Sequence, residues 1–203
     1  MLNVGITGGI GSGKTTVCRF FEALGVPVYN SDERAKYLMN HEHFLIDQIQ
    51  KYFGTEAYIE GTLNRKWIAE KVFGDKKLLA QLNALVHPAV YRDTERWMKE
   101  QSTKNVPYTL REAALLVETG SYKSLDKLIV VTAPLVSRLS RITQRDQVNE
   151  ADMLARVKNQ MEEKEKVKLA DFVIKNDRDL AYLEKQVQDI HASLVKLSQK
   201  KRK

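Results

Sequence analysis

The chain has 203 residues, of which 43% are hydrophobic and 29% charged, so it can bury a substantial apolar core and is neither disordered nor fibrous. No apolar run approaches the roughly 18 residues of a membrane span, and the patch Leu2 to Ile6 is too short for a secretory signal, so a cytoplasmic protein with no membrane contact is expected. The formal charge of +7 invites nucleic acid, an anionic surface or a phosphate-rich substrate, but Lys196, Lys200, Lys201, Arg202 and Lys203 carry five of those charges in the last eight residues and leave +2 for the rest.

In chain order, Leu2 to Ile6 predicts a short strand that runs at once into Thr7-Gly8-Gly9-Ile10-Gly11-Ser12-Gly13-Lys14 and an amphipathic helix from Thr15 to Leu24. Gly25-Val26-Pro27 stops that helix. Val28 and Tyr29 suggest a second strand, and Asn30-Ser31-Asp32 can cap a helix over about 33–39. Two strand-to-helix transitions so close together imply an α/β sheet whose strand ends face one side. From about 43 to 102 the period becomes helical and strand signals nearly vanish, with interruptions expected near Glu60-Gly61 and at His87-Pro88, where proline disfavours helix at His87. Strands return at Val106 to Leu110, Leu128 to Val131 and Phe172 to Ile174. A closing helix carries Leu180, Leu183, Val187, Ile190, Leu194 and Leu197 at spacings of three and four, which puts all six on one face. No repeat and no flexible linker divides the chain.

Gly8, four residues, then Gly13-Lys14-Thr15 completes the phosphate-loop pattern between a strand and a helix. Glycines let successive backbone N–H groups approach a phosphate, the helix N-terminus adds positive potential, Lys14 reaches the outer phosphates, and the Thr15 hydroxyl suits magnesium. Such loops serve GTPases, motors, helicases and small-molecule kinases alike. An Asn-Lys-x-Asp guanine-reading motif is absent, and the length is small for a helicase or motor, which favours a kinase. A nucleic-acid-binding ATPase is the alternative from another class; against it, the basic tail has no interleaved aromatics.

The segment Thr7 to Val17 with Phe20, Leu24-Gly25 and Asp32 resembles the dephospho-coenzyme A kinase family. The similarity continues through Gly61, Leu63 with Arg65, Val72-Phe73, His87-Pro88, Leu115 to Glu118, Arg141 with Gln144-Arg145-Asp146, Gln160, Ala170-Asp171, Ile174, Asn176 and Gln186-Val187. The resemblance implies a phosphate-loop core of nucleoside-kinase type with a parallel sheet (about 1–32, 103–137 and 167–203), a helical substrate insertion (about 33–102) and a helical lid (about 138–166). It implies transfer of the ATP γ-phosphoryl group to the ribose 3′-hydroxyl of dephospho-coenzyme A, with magnesium, ATP and that acceptor as the partners and no nucleic acid. No oligomeric state follows from it. The family's Asp-x-Asp after the second strand is here Asn30-Ser31-Asp32, and its proline before the two leucines is Ala114.

Under that resemblance ATP falls on Gly9, Gly11, Ser12, Gly13, Lys14, Thr15 and Thr16, and the acceptor on Thr7, Asp32, Arg65, His87 and Glu118. Asp32 follows the second strand, at the ligand edge of an open sheet, where a carboxylate serves as a general base or simply as a helix cap. Arg138, Arg141 and Arg145 are spaced three and four apart, either a solvated stripe or a lid that neutralises a moving phosphoryl group, and the family pattern picks out Arg141 and Arg145. His87 reads as a turn residue or a coenzyme contact, and Glu118 as a cap or a group orienting the site. Cys18, inside the first helix, reads as a small buried thiol.

Overall fold

A computed structural model of the chain describes residues 1–72, 74–146 and 160–201, with the backbone alone for 144–146. In chain order its first elements are β1 (Leu2–Gly8), α1 (Lys14–Ala23), β2 (Val28–Asn30), α2 (Ser31–His41), α3 (His43–Phe53), β3 (Tyr58–Ile59), β4 (Thr62–Leu63), α4 (Arg65–Val72) and α5 (Lys76–Ser102). There follow β5 (Tyr108–Glu112), β6 (Lys127–Thr132), α6 (Leu135–Asp146), α7 (Glu163–Lys168), β7 (Phe172–Lys175) and α8 (Leu180–Lys201). They form two compact units, Met1–Asn30 with Glu100–Lys203, and Ser31–Lys99.

The first unit is built on a parallel sheet of order β2-β5-β1-β6-β7. Its strands are covered on both faces, which is why β6 reads as an unbroken apolar run, Leu128 to Val131, none of it more than 2% exposed. Side chains alternate across the sheet. Val4, Ile6, Ile129 and Val131 meet Val17, Cys18 and Phe21 of α1 and Leu183, Val187 and Leu194 of α8, whereas Leu128 and Val130 pack with Leu116 and Val117 on the opposite face. Leu180 departs from the expected apolar face: at the first turn of α8 it is 64% exposed, ahead of the part that lies on the sheet. β5 starts two residues later than the sequence suggests, because Pro107 has no N–H for the ladder and contributes only its carbonyl, which accepts from the Leu2 N–H at 3.1 Å.

The second unit is mostly helical, with one addition the sequence pattern does not announce. β3 and β4 form a hairpin around Glu60 and Gly61, whose φ values of 49° and 77° give a tight two-residue turn. Strands of two residues are too short to show a period. Asn40 of α2 accepts from the Leu63 N–H at 2.8 Å, and the Tyr58 hydroxyl, its pKa raised to about 12 by burial, donates to the Met39 carbonyl at 2.6 Å. Arg34 of α2 grips the buried Asp93 of α5 through two 2.8 Å bonds.

The expected break at His87-Pro88 does not occur. α5 runs for 27 residues with Pro88 inside it. Ala84, whose carbonyl loses its partner, is exposed along with His87 and Pro88, so water can satisfy it, while Val86, Ala89 and Val90 on the buried side keep the helix packed.

Candidate active site around the glycine loop

β1 is the middle strand, and the chain leaves it at Gly8 to form the loop at the C-terminal edge of the sheet, where open α/β sheets bind ligands. Gly13, at the N-cap of α1, has φ 95°, which a residue with a side chain rarely adopts, and a Cβ there would collide with the Asn176 amide. Lys14 opens α1, and its Nζ donates to the Gly8 carbonyl at 3.0 Å, folding the ammonium back over the loop. Thr15 is exposed and Thr16 half-buried beside it. The Ser12 N–H closes a tight turn onto the Gly9 carbonyl at 3.1 Å.

Later segments hold the loop from outside. Asn176, just past β7, donates to the Ser12 carbonyl at 2.8 Å and accepts from Arg141 at 3.3 Å. Arg141 also reaches the Gly11 carbonyl at 3.4 Å. Both Arg141 bonds are long, so the guanidinium is lightly held. Arg138, the least favoured of the three arginines in the sequence pattern, is buried and donates from Nε to the Ile10 carbonyl at 2.9 Å. Gln160 accepts from the Ile10 N–H at 2.9 Å. Arg145 lies in the last turn of α6; its side chain is outside the described residues, as are Phe73, the stretch 147–159 of the expected lid, and Arg202 and Lys203 of the basic tail. A cavity of about 770 Å³ opens beside Gly9, lined by Thr132, Pro134, Arg138, Gln160 and Lys175 among others.

Thr7 is fully buried, and its hydroxyl donates to the Ala114 carbonyl at 3.2 Å. Glu118 forms a 2.6 Å ion pair with Lys166 of α7, which is 1% exposed, and accepts from the Met161 N–H at 3.1 Å. Asp32, Arg65 and His87 belong to the second unit, and all three are exposed. Asp32 sits in the first turn of α2, directly after β2, where the helix N-terminus favours a carboxylate. Arg65 opens α4. The carboxyl of Glu33 is held below its usual range chiefly by a hydrogen bond from Lys36, with Arg65 adding a weaker pull, so the first turns of α2 and α4 lie within electrostatic reach.

Sequence reasoning missed Glu112. This carboxylate ends β5, is 4% exposed, and stands in register with Ile6 of β1 and Asn30 of β2. An acidic residue closing a strand that pairs with the loop-bearing strand is the signal that could have found it. Cys18 is buried as expected, and burial, with the carboxylates of Glu112 and Glu22, pushes its thiol far above the ordinary range while Lys14 opposes them. Burial thus disfavours the reactive thiolate at Cys18.

A glycine loop on the central strand of a parallel sheet, with arginines from the helix after the neighbouring strand, defines a phosphate-loop protein of the small-molecule kinase type. The family model for dephospho-CoA kinase matches residues 2–182. A dephospho-CoA kinase from Salinibacter ruber is 38% identical over 192 residues, 94% of this chain and 96% of the relative. Among solved structures, a Thermus thermophilus protein superposes with a TM-score of 0.80 at 35% identity, covering 95% of this chain and 97% of that one. A dephospho-CoA kinase from Campylobacter jejuni does so with a TM-score of 0.71 at 27% identity, covering 96% and 97%. The chain belongs to the dephospho-CoA kinase family.

Proposed function

We infer that the chain transfers the γ-phosphoryl group of ATP to the ribose 3′-hydroxyl of dephospho-coenzyme A, giving coenzyme A and ADP, the last step of coenzyme A synthesis. The observation that carries this reading is an intact phosphate loop, with Lys14 and Thr15 at the start of α1, in a chain that matches the dephospho-CoA kinase family over residues 2–182.

The loop N–H groups other than those of Ile10 and Ser12, which Gln160 and the Gly9 carbonyl already hold, receive the phosphates together with the α1 N-terminus. Lys14 then exchanges the Gly8 carbonyl for the outer phosphate oxygens. Arg141, lightly held in the free protein, and Arg145 neutralise charge on the phosphoryl oxygens as the group moves. Asp32 accepts the proton of the 3′-hydroxyl as that oxygen attacks, and Arg65, His87 and Glu118 are the proposed acceptor contacts, whereas Thr7, fully buried with its hydroxyl on the Ala114 carbonyl, has no face to offer the acceptor. A guanidinium such as Arg65 suits a phosphate of the acceptor through paired hydrogen bonds.

Magnesium fits these residues. Among the described residues no group of three or more His, Cys, Asp or Glu side chains could hold a metal, which suits an ion carried mainly by phosphate and water. Thr15 and the buried Glu112 offer hard oxygen donors at the loop edge of the sheet, and would hold it directly or through water. When bound, it neutralises phosphate charge. The test is to mix purified protein, magnesium, ATP and dephospho-coenzyme A and to separate the products. Coenzyme A and ADP are expected in equal amounts, and absence of both would overturn the reading.

A further inference from the structure

Arg138 stands apart from the other loop-holding groups. Its side chain is 9% exposed, and the guanidinium fills the space that a side chain on Gly9 would need. Nε donates to the Ile10 carbonyl at 2.9 Å, and Nη1 lies 3.8 Å from Oε2 of Glu163, the first residue of α7. The Ile10 N–H is bonded to Gln160, three residues before Glu163, so Ile10 is held at its nitrogen by one segment and at its oxygen by another.

A trans peptide points its C=O and N–H in opposite directions. A donor that fixes the Ile10 carbonyl against α6 therefore aims the N–H of Gly11 away from α6. A cation on the oxygen also polarises the peptide and strengthens that N–H as a donor. Burial works against the charge on Arg138, and Glu163 opposes that effect. A neutral side chain would be cheaper to bury here, so the charge calls for a role that a packing residue would not have.

We propose that Arg138 is a positioning residue of the nucleotide site: by tying the Ile10 carbonyl to α6 and to Glu163 of α7, it presets the loop N–H groups for the ATP phosphates without touching the nucleotide. This rests on the phosphate loop binding ATP and is independent of which alcohol accepts the phosphoryl group.

The experiment compares wild type with Arg138→Met, Arg138→Lys and Glu163→Gln by calorimetric titration with ADP, steady-state kinetics and thermal melting. Arg138→Met is expected to raise the ADP dissociation constant and the KM for ATP about tenfold or more, with the KM for dephospho-coenzyme A unchanged. Arg138→Lys, which keeps one donor for Ile10, recovers part of that loss. Glu163→Gln weakens ADP in the wild-type background and has no further effect beside Arg138→Met. A lowered melting temperature with wild-type ADP affinity and KM for ATP at 25 °C would reduce Arg138 to a packing residue and overturn the proposal. A collapse of kcat with the KM for ATP unchanged would overturn it too, since it would place Arg138 on the reacting group. If Arg138→Met does not fold, Arg138→Lys decides: weaker ADP binding supports the proposal and unchanged binding overturns it. Failure of the wild type to bind ADP would instead remove the nucleotide site itself.

Discussion

The Asn176 side-chain amide donates to the Ser12 carbonyl at 2.8 Å, in a buried bond that spans 164 positions of sequence. Asn176 also accepts from Arg141, so one amide joins the end of β7, the phosphate loop and α6. Asn176→Ala removes the donor and leaves a buried carbonyl unsatisfied, at a cost of about 1–3 kcal/mol. Urea denaturation should register that loss, and the KM for ATP should rise in the same variant.

Asp32→Asn keeps shape and hydrogen-bonding capacity but cannot take a proton. If Asp32 is the base, kcat falls about 10²- to 10⁴-fold while the dissociation constant for ADP stays at the wild-type value. A stopped assay and a calorimetric titration on one preparation separate the two. Near-normal turnover would return Asp32 to the role of a helix-terminal carboxylate.

Arg145→Ala tests the proposed phosphoryl-group arginine in the last turn of α6, whose side chain falls outside the described residues. A charge that acts as the phosphoryl group moves should cost kcat about 10²-fold or more and the ADP affinity far less. Equal losses in both would make Arg145 a ground-state contact.

The Glu118–Lys166 pair is a test of stability. Glu118→Gln strands a buried ammonium, and about 3–5 kcal/mol should be lost; Glu118→Leu with Lys166→Met should recover most of it. Denaturant midpoints for the three variants measure both effects. If the single variant alone keeps the wild-type midpoint, the pair contributes nothing to the fold.

His191 of α8 meets the hydroxyl of the buried Tyr108 at 2.7 Å through Nδ1, and burial lowers its pKa. The folded chain then binds this proton less readily than the unfolded chain. The contribution is complete above about pH 6.5 and is lost as pH falls through the lowered value. Melting temperature should decline on acidification from pH 7.5 to about 5.5, and less steeply in His191→Gln.

The loop was legible from sequence because everything it needs is local: Gly8, Gly13, Lys14 and Thr15 lie within eight residues, flanked by a strand and a helix. The family resemblance likewise anticipated Arg141 and Asn176 as residues, though not their mutual bond. The hold on Ile10 was not legible. Ile10 finds Arg138 128 positions away and Gln160 150 positions away, and no periodicity encodes such pairs. Pro88 misled for a related reason: its local bias against helix is real, but the buried side of a 27-residue helix outweighs one missing bond. Glu112 was overlooked because the sheet order, which no local pattern gives, is what sets it beside β1.

The strand order also bears on how the chain comes to fold. β1 leaves the ribosome well before its neighbours, β5, which begins at Tyr108, and β6, which begins at Lys127. A nascent or truncated chain that stops before Lys127 has the complete phosphate-loop motif and an open flank on the strand that carries it. Nucleotide binding is then gained only after β5 and β6 have followed the residues that perform it.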